Sequence, residues 1–134
     1  MKKGTGMIKR SLLFLFVLLL ASTLTAQETR VNELINQLKD KNYRVRYRAA
    51  DALGKQGPAA SAAVPALRKA LKDPDRDVRK AATRALVKMG AAAVPALRKA
   101  LKDPDEGVRK AAADALGKLG QGDALGPTAS GSRT

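Results

Sequence analysis

The chain has 134 residues, 26 Lys and Arg against 12 Asp and Glu, a net charge of +14, and neither histidine nor cysteine. Without those two residue types no Ser–His or Cys–His pair, no usual zinc constellation and no disulfide can be built, so we expect no enzyme, no cofactor and no metal. The positive field favours polyanionic partners and fast encounter with acidic surfaces, but it does not determine a fold.

Lys2, Lys3, Lys9 and Arg10 precede the apolar run Leu12 to Ala21, and the short polar stretch Ser22 to Gln27 follows. That is the layout of a secretory signal peptide over residues 1–26, cut after Ala26, although Leu24 is larger than the small residue preferred there. The run is about half of the ~20 apolar residues that a membrane span needs, which places cleavage above an uncleaved anchor. A secreted or periplasmic location is expected, with no stable membrane span after removal. A mature chain from Gln27 keeps 22 basic residues against all 12 acidic ones, a net of +10. It has no disulfide to staple it and depends on helix packing alone.

From Val31 onward the sequence repeats. Val64 to Ala82 recurs at Val94 to Ala112 with a step of 30 and 17 of 19 positions identical, only Arg76/Glu106 and Asp77/Gly107 differing. A more diverged first copy places Val31, Leu34, Leu38, Asp40, Val45, Arg46, Ala49, Leu53 and Gly57 33 positions before their counterparts. The three extra residues of Gly57 to Ala63 account for the longer step. Fixed-period helical patterning is the signature of a stacked array. The expected fold is all-α, an α-solenoid of three helical-hairpin repeats at about 31–60, 61–90 and 91–120.

Within a repeat, Val64, Leu67 and Leu71 share one face of a first helix, and Val78, Ala81, Ala82, Ala85 and Met89 share one face of a second. Asp73-Pro74-Asp75 separates them: Asp can cap free backbone N–H groups, and Pro suits a first helical turn. Gly57, Gly90 and Gly120 are placed to end the second helices in a left-handed conformation. The inner faces are mostly Ala, so stability is expected to rest on copy number. Asn32, Glu33, Asn36 and Gln37 make the first helix a polar cap. At the other end Ala112, Ala115, Leu116 and Leu119 are patterned like an interior repeat with no fourth to cover them, so self-association through repeat three, or else weak protection of its last helix in a monomer, is expected. Residues 121–134 read as a disordered Gly/Ser/Thr-rich tail.

On these residues the chain resembles the HEAT-repeat (armadillo-like) proteins, and most closely the short HEAT-like repeats named after phycobilisome lyases. The resemblance spans Val31 to Gly120. It rests on the pairs Asp40/Arg46, Asp73/Arg79 and Asp103/Arg109, each six apart, and on the Ala-rich endings Ala49 to Lys55 and Ala112 to Lys118. Repeat two departs with Val87 where the others have Gly54 and Gly117. The resemblance implies that these Asp and Arg side chains form a ladder between neighbouring repeats, that first helices line the convex side and that second helices line the concave side. It implies no lyase activity, because the longer lyase chains carry elements this one lacks. Asp73-x-Asp75-x-Asp77 opens like a calcium loop and fails downstream, with Val78 at the turn Gly and Arg84 at the bidentate Glu.

A second helix read at about 100° per residue puts Lys80, Arg84 and Lys88 opposite its packed face. The same columns hold Tyr47, Asp51 and Lys55 in repeat one, and Lys110, Asp114 and Lys118 in repeat three. Tyr47, Lys55, Lys80, Arg84, Lys88, Lys110 and Lys118 are therefore the candidate partner-binding residues. Arg68, Lys69 and Lys72, with Arg98, Lys99 and Lys102, form a second basic set on the outer helices. A solvated helix surface is the plain reading of both sets. The functional reading is an exported, non-catalytic interaction module whose concave face holds an acidic protein or an anionic envelope polymer. A nucleic-acid-backbone binder is the alternative. Export, and a lack of aromatic stacking residues beyond Tyr43 and Tyr47, weigh against it.

Overall fold

The computed structural model describes the backbone of residues 2–122 and the side chains of residues 9–120. Among these residues every regular element is helical. In chain order they are α1 (Lys2–Gln37), α2 (Tyr43–Gln56), α3 (Val64–Ala70), α4 (Arg76–Met89), α5 (Val94–Ala100) and α6 (Glu106–Gly122). Short 3₁₀ segments, Gly57–Ala63 and Gly90–Ala93, follow α2 and α4. Three hairpins result, pairing the end of α1 with α2, α3 with α4, and α5 with α6.

The first helix of repeat one does not begin afresh near Val31. It continues the N-terminal apolar segment without a break, and neither Gly nor Pro occurs from Met7 to Gln37 to interrupt it. The polar stretch that reads as a boundary is absorbed into the helix: the hydroxyls of Thr23, Thr25 and Thr29 donate to the carbonyls of Leu19, Ala21 and Thr25 at 2.5, 2.8 and 2.9 Å. Because the helix does not stop at Ala21, its 29 residues from Lys9 to Gln37 are long and apolar enough to cross a membrane, which the apolar run alone is not. Residues 9–30 are exposed, and burial begins at Val31. The polar cap is as read, with Asn32, Glu33 and Asn36 outward and Val31 and Leu38 inward.

Each second helix starts on a side-chain cap. Asn42 accepts from the Arg44 N–H, Asp75 from the N–H groups of Asp77 and Val78, and Asp105 from that of Val108. The first helices stay short because the residue before Pro74 or Pro104 is pushed away from helical backbone. Gly57 and Gly90 turn the chain at φ of 60° and 67°, a conformation that L side chains resist. Gly120 does not: α6 runs on through it to Gly122. After Gly57 and Gly90 the buried Ala60, Ala63 and Ala93 draw the chain back onto the core. The rest of the expected disordered tail, 123–134, lies outside the described residues.

One continuous core runs through the hairpins, with Leu53, Leu67, Leu86 and Leu97 at 0% exposure among closely packed alanines. Burying one such leucine stabilises by about 1.5–3 kcal/mol. The array is not uniform. A Cβ built on Gly54 would sit 3.1 Å from Ala85 Cα and 3.3 Å from its Cβ, so α2 and α4 approach at backbone contact. In repeat register Val87 of α4 and Ala115 of α6 correspond to Gly54 and Ala85, and α4 and α6 pack much less closely than α2 and α4. Identical sequence is not equally covered: Leu71 is 1% exposed and Leu101 39% exposed, since among the described residues no further hairpin packs beyond α6. The apolar strip expected on α6 is smaller than its pattern suggests. Ala112 and Ala115 are fully buried, and Leu116 and Leu119 are half-buried, since these positions face the preceding repeat and α5.

Candidate functional site

The second helices α2, α4 and α6 lie side by side and form one face of the molecule. Two grooves run between them. The first, of ≈ 400 Å³, is lined by Tyr43, Arg44, Tyr47, Asp77, Lys80 and Arg84. The second, between α4 and α6, is of ≈ 820 Å³, with Leu71, Thr83 and Ala111 beneath a basic rim of Arg76, Arg79, Lys80, Arg84, Lys110 and Lys118. Lys80 and Arg84 belong to both, because successive turns of α4 point them outward between its two neighbours.

Five of the seven candidate residues therefore line grooves: Tyr47, Lys80, Arg84, Lys110 and Lys118. Lys55 and Lys88 line neither, although both are exposed. Lys55 Nζ pairs with Asp51 of its own helix at 3.1 Å, and the methylenes of Lys88 lie over Gly54. Lys118 pairs with Asp114 at 3.1 Å, so the lone acidic side chain lining the second groove carries its own counter-charge. The lysine column Lys55, Lys88 and Lys118 is thus not a continuous free charge. The grooves also recruit Tyr43, Arg44, Arg76 and Arg79, which column counting missed. Arg76 precedes Lys80 by one helical turn, and that spacing was the available signal. The Tyr43 ring lies 5.8 Å below the Arg44 guanidinium, which holds this pair at the mouth of the first groove.

The Asp/Arg ladder forms once. Arg46 grips Asp73 with two parallel bonds, Nε to Oδ2 at 2.7 Å and Nη2 to Oδ1 at 3.0 Å, while its Nη1 donates to the carbonyls of Asp40 and Lys41. The hydrogen bond to Asp73 raises the Arg46 pKa above its ordinary value. Arg79 repeats only half of this: Nη1 donates to the carbonyls of Asp73 and Pro74, and no bond reaches Asp103. Lys72 takes Asp103 instead, at 3.0 Å. The expected pairing of Arg79 with a carboxylate is therefore corrected, and Arg109, likewise bound to the carbonyls of Asp103 and Pro104, has none either. The Asp105 backbone N–H, and then Lys72, hold the Asp103 carboxyl below its usual value. The carboxylates of the Asp73-x-Asp75 run are occupied by Arg46 and by backbone N–H groups, which is the capping role.

On the outer side α1 and α3 flank a smaller groove of ≈ 330 Å³, where Lys39 and Lys69 border Ile35, Leu38, Pro65 and Ala66. It concentrates less positive charge than the second-helix face.

A family model described as HEAT repeats matches residues 31–93 and again 89–127. Among solved structures, a crystal structure of an engineered protein is 28% identical over 66% of this chain, with a TM-score of 0.48. The match covers 44% of that protein, so the chain aligns with less than half of its length. No curated protein sequence matches.

Proposed function

The chain belongs to the HEAT-repeat family of helical interaction scaffolds, and from that premise we propose an exported, non-catalytic module that holds an acidic partner on its second-helix face. The partner is an acidic protein or an anionic polymer of the cell envelope. One observation carries this reading: two adjoining grooves share Lys80 and Arg84, and the larger is rimmed by six cations, of which only Lys118 is paired with the groove's one Asp. Such a surface raises the local concentration of anions and their rate of encounter. Export is supported by α1, whose side chains from Leu12 to Leu20 are 50–68% exposed and follow Lys9 and Arg10. An unpacked apolar helix behind a basic start fits a signal sequence, cleaved after Ala26.

The test compares two triple charge reversals of equal size against a labelled oligoglutamate peptide, followed by fluorescence anisotropy. Lys80→Glu, Arg84→Glu and Lys110→Glu together should abolish binding and flatten its salt dependence. Lys69→Glu, Lys99→Glu and Lys102→Glu together should weaken it far less. Equal losses would show that net charge, not a face, does the binding. Duplex DNA held more tightly than the peptide at matched salt would overturn the choice of partner.

A further inference from the structure

Three features favour a carboxylate in the second groove, and the one acid it gains, Asp114 where the first groove has Arg84, is paired with Lys118. Val87 stands where Gly54 lets two helices touch, and the bulkier residue goes with the looser packing of α6 on α4. Gly107 stands where Asp77 puts an acid at the mouth of the first groove. Arg79 lines the second groove with only its Nη1 engaged, and among the described residues its Nε and Nη2 form no hydrogen bond. The molecule itself shows what an arginine in this place binds. Arg46, its counterpart one repeat earlier, uses that edge to hold a carboxylate at 2.7 and 3.0 Å. Lys72 has drawn Asp103 away from Arg79, which leaves the equivalent seat empty of a carboxylate.

We propose that the α4–α6 groove is a carboxylate-reading cleft for an acidic peptide segment, in which one Asp or Glu of the partner docks bidentately on the Nε/Nη2 edge of Arg79. This rests on the reading that the second-helix face binds an acidic partner, and it names the residue that sets specificity there. The two backbone carbonyls that hold Nη1 fix the guanidinium plane in advance, so little side-chain freedom is lost on docking. Lys80, Arg84 and Lys110 supply further positive charge for neighbouring acids, and Leu71, Thr83 and Ala111 form a floor that lets the peptide backbone lie flat. A fork that matches a planar carboxylate separates this cleft from a surface that merely attracts negative charge.

The experiment titrates the full chain, in an uncharged detergent, with a labelled oligoglutamate peptide and in parallel with inorganic polyphosphate. Arg79→Gln should weaken peptide binding by about tenfold or more, the range expected for losing a charged hydrogen-bonded pair. Arg79→Lys, which keeps the charge and removes the fork, should lose most of the same factor for the peptide and little for polyphosphate. Val87→Gly, which changes no charge, should weaken the peptide as α6 closes on α4. Lys88→Gln, a loss of one charge outside the groove, should leave both ligands nearly unchanged. Circular dichroism of each variant separates binding losses from unfolding. Equal effects of Arg79→Gln and Lys88→Gln, or an indifferent Arg79→Lys, would overturn the cleft while leaving the basic face intact. If the triple reversal of Lys80, Arg84 and Lys110 is also without effect, the function proposed above falls with it.

Discussion

Gly54 and Gly117 occupy the same position of the repeat, and the structure gives them opposite responses to one added methyl group. In an open helix, Gly→Ala stabilises by about 1 kcal/mol because alanine loses less backbone entropy on folding. At Gly117 a Cβ meets nothing within 4 Å, so that gain should appear in full. For a domain of this size, about 1 kcal/mol raises Tm by roughly 4–8 °C. At Gly54 the same Cβ lands 3.1 Å from Ala85 Cα, and Ala85 is 1% exposed. Relief requires shifting the whole of α4, because the obstructing atom is backbone rather than the end of a flexible side chain. Overpacking of this kind costs about 1–3 kcal/mol, which cancels or exceeds the propensity gain. Gly54→Ala should therefore leave Tm unchanged or lower it, while Gly117→Ala raises it. Thermal denaturation followed by circular dichroism reads both. Equal rises in the two variants would refute the close α2–α4 approach and, with it, the reason given for the open α4–α6 groove.

Three further outcomes depend on the packing. Arg46→Ala should lower Tm clearly more than Arg79→Ala, because Arg46 bridges two repeats through Asp73 whereas Arg79 ties down only its own loop; equal shifts in calorimetry would restore a uniform ladder. Asp103 has a folded-state pKa below its unfolded value, so its stabilising contribution is present above the unfolded pKa and is lost as pH falls through the folded one. Stability measured from neutral to strongly acid pH should show that loss in the parent chain, and Asp103→Asn should be flatter across the same window; parallel curves would contradict the Lys72 and Asp105 contacts. Leu71→Ala should cost about 2–5 kcal/mol and Leu101→Ala clearly less, since the first side chain is 1% and the second 39% exposed. Equal costs in urea denaturation would mean that Leu101 is covered, as self-association through repeat three would bring about.

The hairpins, their caps and the two turning glycines were legible because each depends on a local rule: an apolar stripe, an Asp before a helix, a residue that tolerates positive φ. Gly120 escaped because glycine permits a positive-φ turn without requiring one, and α6 runs on through it to Gly122. The continuity of α1 escaped for a similar reason, since Thr23, Thr25 and Thr29 read as a boundary yet satisfy their hydroxyls inside a helix. Of the candidate site, column counting found the outward cations of α4 and α6 but not the spacing between helices. Val87 was seen as a departure from the pattern. Its consequence, a wider groove beside an arginine that lacks a carboxylate, depends on which side of the helix meets the next repeat and on Lys72 outcompeting Arg79 for Asp103. Both are properties of three-dimensional neighbours, and identical repeats conceal them.

The central claim is that an acidic partner sits on the second helices, and hydrogen–deuterium exchange of the full chain with and without bound oligoglutamate addresses it most directly. Slowed exchange should concentrate in α4 and in α6, around residues 76–84 and 107–118, with the outer helices at 64–70 and 94–100 unchanged. Protection spread over the outer helices, or binding that protects neither α4 nor α6, would contradict the account.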